Sequence, residues 1–196
     1  MTATYPTLDT IILNAGIQRS VDFTNPSSIS LPSVASELTT NYLAPLHTIT
    51  LFLPHLQSLR SFTTLLHHSR LLRPSSGPHP RCPNYCAAKS ALHSLAWSLR
   101  AQLAGHEPSS HIRVVEIVPP AVRTELHSQQ PDLVAAGQGD FGMPLDEFTE
   151  ETWVALEKGE EDEIIVGPAK HFAHVETDRK RMFGEMAEAF KKGDKA

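Results

Sequence analysis

An α/β domain built on a parallel sheet with flanking helices is the fold class this sequence predicts, on three observations. Leu8 to Leu13 (Leu-Asp-Thr-Ile-Ile-Leu) is a short, largely apolar run rich in β-branched residues that stops at Asn14-Ala15-Gly16, as a buried parallel strand ending in a tight turn does. His111 to Val118 is a second such run, halted at Pro119-Pro120. Between them lie stretches whose apolar residues recur at the spacing of a helix packed on a sheet.

In chain order, Ile11 to Leu13 is the end of the first strand. Val34 to Leu59 is a long helix carrying Leu38, Tyr42, Leu43, Leu46, Ile49, Leu53 and Leu56 at helical period, with kinks expected at Pro45 and Pro54 or a last turn at Pro54. Leu65 to Pro80 has no clear strand period. Tyr85 to Leu103 is a second helix with Ala88, Leu92, Leu95, Ala96 and Leu99 inward. After the strand to Val118, residues 129–143 are a loop rich in small residues. Pro144 to Glu157 is a helix, Glu160-Glu161-Asp162-Glu163 a solvated turn, and Ile164-Ile165-Val166 a last strand closing at Gly167-Pro168. A final helix, Glu176 to Lys192, places Met182, Met186 and Phe190 on one face as core or dimer contacts. No internal repeat is evident, and residues 1–196 form one domain.

The chemistry concentrates in Pro-Asn-Tyr-Cys-Ala-Ala-Lys. If the segment is helical, Tyr85 and Lys89 lie four apart on one face, a phenol beside an ammonium. The ammonium stabilises the phenolate and lowers the tyrosine pKa from about 10 toward a range useful for general acid/base catalysis. The alternative reading of the same spacing is a core aromatic beside a solvated lysine.

Taken together, these pieces resemble the short-chain dehydrogenase/reductase family, from about Tyr5 to the C-terminal helix. The family's Asn-Ala-Gly after the fourth strand matches Asn14, Ala15 and Gly16, and its helix asparagine matches Asn41. Its Tyr-x-x-x-Lys matches Tyr85 and Lys89. Its Pro-Gly-x-Val-x-Thr matches Pro119 to Thr124, with Pro120 where glycine is usual. The resemblance implies a Rossmann-like three-layer sandwich lacking its first strands, and an oxidoreductase that interconverts a carbonyl and an alcohol with NAD or NADP. It implies Tyr85, Lys89 and Asn41 as catalytic residues: Tyr85 gives or takes the hydroxyl proton, Lys89 holds the nicotinamide ribose, and Asn41 keeps a water in the proton relay. It implies Asn14, Ala15, Gly16, Lys89, Pro119 and Thr124 as the cofactor pocket, with Thr124 on the nicotinamide carboxamide. The loop at 129–143 becomes a candidate lid over the substrate.

Two elements of the family pattern are absent. The glycine-rich turn that seats the pyrophosphate does not occur; the chain enters directly at the fourth strand, so the N-terminal half is read as truncated by somewhat under about a hundred residues. Without it the pyrophosphate and adenosine have no seat, and the edge of the Leu8 to Leu13 strand is left open for self-association or a partner strand. The family serine, expected about a dozen residues before Tyr85, is also missing. Read one base later, the codons of Arg70 to Pro80 can yield Val-Ser-Ser-Gly-Leu-Ala-Leu-Val-Pro-Ile-Pro, with a serine at Leu72. We infer a shifted reading frame from somewhere after Leu59 to Pro80; codons incompatible with that shift would eliminate it.

Composition bounds the rest. At 196 residues, 40% hydrophobic and 20% charged, the chain can bury one core. A net charge of -5 argues against nucleic-acid binding, which calls for a basic face. No run of about eighteen apolar residues predicts a membrane span, and no leader pattern opens the chain, so the cytoplasm is the expected location. Cys82 and Cys86 read as reduced thiols near a helix start; with His79 they fall short of a zinc site, and no metal is expected. The eleven histidines, His47, His55 and His93 among them, read as polar-face or core-edge residues, and none pairs with a serine and an acid as hydrolysis requires. Three functional readings stay open: a short-chain oxidoreductase acting on a small carbonyl compound or alcohol, a non-catalytic relative serving as a binding or assembly module, and an inactive gene-model fragment.

Overall fold

The computed structural model describes residues 2–59, 63–68 and 80–193. Four parallel strands form one sheet in the order β1 (Thr10–Leu13), β2 (Thr63–His68), β3 (Ile112–Val118) and β4 (Glu163–Ile165). Parallel neighbours need crossover connections, and helices supply them. The segment Leu31–Ser58 links β1 to β2, α3 (Pro83–Ala104) links β2 to β3, and α6 (Leu145–Lys158) precedes β4.

Alternation along β3 builds the three layers. Ile112 and Val114 turn to one face, where Ile49 and Leu56 of the first crossover and Ala96 and Leu103 of α3 pack with Ile11. Val115 and Ile117 turn to the other, against Ile164, Val166 and the Phe148, Ala155 and Leu156 side of α6. Helices therefore cover both faces, as an all-parallel sheet requires.

The same β3 carries a carboxylate into the first layer. Glu116, fully buried, accepts from Nδ1 of His93 on α3 at 2.7 Å, and Arg100 stands 3.7 Å away. Removing one partner of a buried charged pair strands the others, so Glu116→Ala is expected to cost about 3–5 kcal/mol, read as a lower denaturant midpoint.

The first crossover is not one uninterrupted α-helix. Ser30 caps α1 (Leu31–Leu38) by accepting from the Ser33 amide at 3.3 Å, and α2 runs from Ala44 to Ser58. Between them Thr39–Leu43 forms one wide π turn closed by the Ala44 amide on the Thr39 carbonyl. Pro45 has no amide hydrogen to give the Asn41 carbonyl, and inserting one residue in the turn absorbs the defect. Pro54 sits within α2.

Four further sequence expectations change. Leu65 to Pro80, read as lacking strand period, begins inside β2, because the ladders to β1 on one side and β3 on the other hold the backbone extended. Leu72, the place of the family serine in the shifted frame, lies outside the described residues. Residues 129–143 include a short helix, α5 (Pro131–Ala135), after α4 (Glu125–Ser128). Glu163 is no solvated turn residue: it accepts from Trp97 Nε1 at 2.8 Å and Arg100 at 3.1 Å, partners that sequence spacing cannot reveal. On α7 (Thr177–Gly193) Met182 and Met186 are exposed, at 62% and 52%, and form no core stripe. Helix α6 ends at Gly159, which stands in the left-handed region at φ 68°. Among the described residues β1 pairs on one side only and Ile12 is 62% exposed. No helix among them is long and apolar enough to cross a membrane.

Candidate active site

Helix α3 opens with Pro83 in its first turn, where a missing amide hydrogen costs nothing. It brings Tyr85 and Lys89 to the carboxyl ends of β1 and β3, and both are buried, at 5% and 3% exposure. The Lys89 ammonium lies over the Tyr85 ring, 5.6 Å from its centroid.

The electrostatics differ from the sequence expectation. Burial pushes the Tyr85 phenol well above its ordinary value, and the nearby Cys82, Cys86 and Glu37 oppose a further negative charge. Burial also pushes Lys89 down to about 8. Desolvation thus outweighs the lysine's attraction for the phenolate in the free protein.

Behind this pair stands the turn after β1. Asn41, fully buried on the π turn, accepts from the Ile17 amide at 2.9 Å and donates to the Ile17 carbonyl at 2.7 Å. A Cβ on Gly16 would lie 3.3 Å from Asn41 Oδ1 and 3.6 Å from Lys89 Nζ, so a glycine lets the turn come this close. Asn41 therefore fixes the turn from behind.

A cavity of about 260 Å³ opens in front. Asn14, Gly16, Tyr85, Lys89, Pro119 and Thr124 line it, which unites most of the predicted residues. Ala15 and Asn41 are not in its lining. Thr124 caps α4, its hydroxyl accepting from the Leu126 amide at 3.4 Å. The remaining wall is Pro120, Val122, Leu126, His127, Leu145 and Phe148. Pro120 and Val122 belong to the Pro119 to Thr124 motif, whereas sequence reading missed the other four. Leu126 and His127 directly follow the Thr124 motif, a usable signal, whereas Leu145 and Phe148 look like any apolar helix face.

Residues 129–143 flank the rim without lining the cavity. Arg81 pairs with Asp132 at 2.5 Å, Phe141 stacks on His127 with centroids 4.9 Å apart, and the Met143 amide donates to the Ala121 carbonyl at 2.8 Å. Gly142 is required there, since at φ 123° a Cβ would sit 2.6 Å from the Ala121 oxygen.

A buried amine, a phenol, an asparagine and a threonine around a glycine-edged cavity fit the nicotinamide-ribose end of a dinucleotide: donors for hydroxyls and a carboxamide, and room for a flat ring. No glycine-rich turn for the pyrophosphate occurs among the described residues.

A parallel sheet with helices on both faces and a cavity at the carboxyl ends of its strands is the architecture of the doubly wound α/β folds. The chain belongs to the short chain dehydrogenase family, whose description matches residues 1–133. It is 32% identical over 158 residues to the uncharacterized oxidoreductase DltE of Bacillus subtilis (strain 168), covering 81% of this chain and 59% of DltE. The chain thus spans 59% of that relative's length. Among solved structures it resembles a short chain dehydrogenase from Burkholderia cenocepacia J2315 in complex with NADP, at TM-score 0.67 and 23% identity over 93% of this chain and 71% of that one. It also resembles a short-chain dehydrogenase from Sphingobium yanoikuyae in complex with NADPH, at TM-score 0.65 and 19% identity over 90% and 65%. A third is a 3-ketoacyl-(acyl-carrier-protein) reductase from Brucella melitensis complexed with NADH, at TM-score 0.65 and 17% identity over 84% and 68%.

Proposed function

We propose that this chain interconverts a carbonyl and an alcohol on a small molecule in the cavity at Tyr85, using NAD or NADP. The observation that carries the reading is the burial of Tyr85 and Lys89 one helical turn apart beside a cavity that Asn14, Gly16 and Thr124 also line. The NADP, NADPH and NADH bound to the neighbours of like fold support the choice of cofactor.

Bound there, the nicotinamide supplies or receives the hydride. Tyr85 gives its hydroxyl proton to the carbonyl oxygen in reduction, and the phenolate takes one back in oxidation. Burial keeps the phenol protonated and makes it a weaker acid, so donation depends on the Lys89 ammonium stabilising the phenolate that forms. Lys89 offers its ammonium to the ribose hydroxyls and to the developing phenolate. Asn41 holds the Ile17 backbone, and its own carbonyl, which Pro45 cannot engage, suits a water that returns the proton. Val122, Leu126, Leu145 and Phe148 favour an apolar substituent on the substrate, and residues 129–143 serve as the lid above it. The test is the loss of reduced-nicotinamide absorbance when the protein is given a panel of small apolar ketones. Turnover proportional to protein supports the reading, and none with any ketone overturns it.

The open side of β1, with Ile12 exposed, supports association of a second copy along that edge. Light scattering is expected to give a mass above one chain; a monomer with a cooperative melt contradicts it.

A further inference from the structure

We propose that Glu37 is a positioning residue for the Tyr85 phenol: its buried carboxylate ties the chain beyond the Asn14–Gly16 turn to the residue that precedes the tyrosine. This inference rests on the reading of Tyr85 as the acid/base. Glu37 is fully buried, and among the described residues its carboxylate is held by neutral donors. One oxygen accepts from the Arg19 amide at 3.1 Å and the other from Asn84 Nδ2, also at 3.1 Å. Asn84 Nδ2 donates in addition to the Val34 carbonyl at 3.1 Å, and the Arg19 guanidinium donates to the Ser33 carbonyl at 3.2 Å. Three pieces of chain that share no sequence proximity, α1, the 17–19 segment and the start of α3, therefore meet at one side chain.

Burying a carboxylate on neutral donors is costly. A carboxylate is distinguished by two features. It accepts from both donors at once, whereas a glutamine accepts with one oxygen and presents a second donor to a donor. It also carries charge close to Tyr85, where it acts with Cys82 and Cys86 of α3 against ionisation of the phenol, opposite to Lys89 on the same helix. Glu37 and Asn41 stand one turn apart, and together they grip Ile17 and Arg19, so the turn and the tyrosine move as one unit.

Two measurements on Glu37→Gln separate this role from plain packing, and neither uses the cofactor. In an alkaline absorbance titration, with Tyr85→Phe as the subtracted reference, the Tyr85 phenol of E37Q is expected to ionise at lower pH than that of the wild type, which burial holds well above its ordinary value. The Arg19 amide is expected to exchange its hydrogen at least about tenfold faster. An unmoved titration and unmoved exchange, with only a lower melting temperature, would overturn the proposal. Should E37Q fail to fold, Glu37→Asp decides: keeping the charge on a shorter stem, it speeds Arg19 exchange if the tie is real and leaves it unchanged if it is not. A wild type that reduces no ketone overturns the catalytic reading, while both measurements still report on Glu37.

Discussion

Tyr85→Phe is expected to lower the rate of carbonyl reduction by about 10²–10⁴, the usual contribution of a positioned acid, with cofactor affinity unchanged. The substitution deletes one oxygen and keeps the ring, which packs with Cys82 and Cys86 at the helix start, so the fold has little to lose. The loss falls in kcat, because the phenol's proton is needed in the transition state and not for binding. Steady-state rates at saturating ketone, set beside a cofactor titration, measure both. A rate within about twofold of wild type removes Tyr85 from the proton path.

Lys89→Met is expected to stabilise the protein while impairing it. The buried ammonium has its pKa lowered from 10.5 to about 8 by desolvation. Between those values the unfolded chain binds the proton that the folded chain has released, so wild-type stability rises with pH through this window, and below it the burial cost is felt in full. The gap bounds the cost at about 3 kcal/mol, at 1.36 kcal/mol for each pH unit. Methionine fills similar space without charge, so K89M is expected to gain about 1–3 kcal/mol at pH 7, and the gain is expected to shrink as pH rises from about 8 to 10.5. The raised phenol works in the opposite sense above its ordinary value but is shared by both proteins and cancels. Denaturant melts at several pH values check this; a K89M protein no more stable than wild type at pH 7 contradicts the burial argument. The accompanying loss of cofactor affinity would mark a residue retained for function against stability.

Much of this was legible before any coordinates. Apolar runs ending at Asn14 and Pro119 located β1 and β3, and helical spacing located α3 and α6, because these elements bury side chains in the period their own backbone imposes. Strand β2 was not legible, since its extension comes from two neighbouring ladders and not from its own pattern. The π turn required knowing that Pro45 would be absorbed by widening the helix at Asn41 instead of kinking it. At the site, most of the motif residues line one cavity, Ala15 and Asn41 excepted, but the proton affinities did not follow from spacing: how deeply Tyr85 and Lys89 lie decides them, and burial is a property of the packed fold. Glu37 and the apolar wall of Leu145 and Phe148 stayed hidden for the same reason, being distant in sequence from the motif they serve.

The central claim is that the glycine-edged cavity at Tyr85 and Lys89 receives the nicotinamide end of a dinucleotide. The most direct measurement is the quenching of Trp97 and Trp153 fluorescence by titrated reduced nicotinamide dinucleotide. Saturable quenching, reversed by the oxidised form and weakened in K89M, is the predicted result. Quenching that climbs without saturation, identical for wild type and K89M, would contradict it.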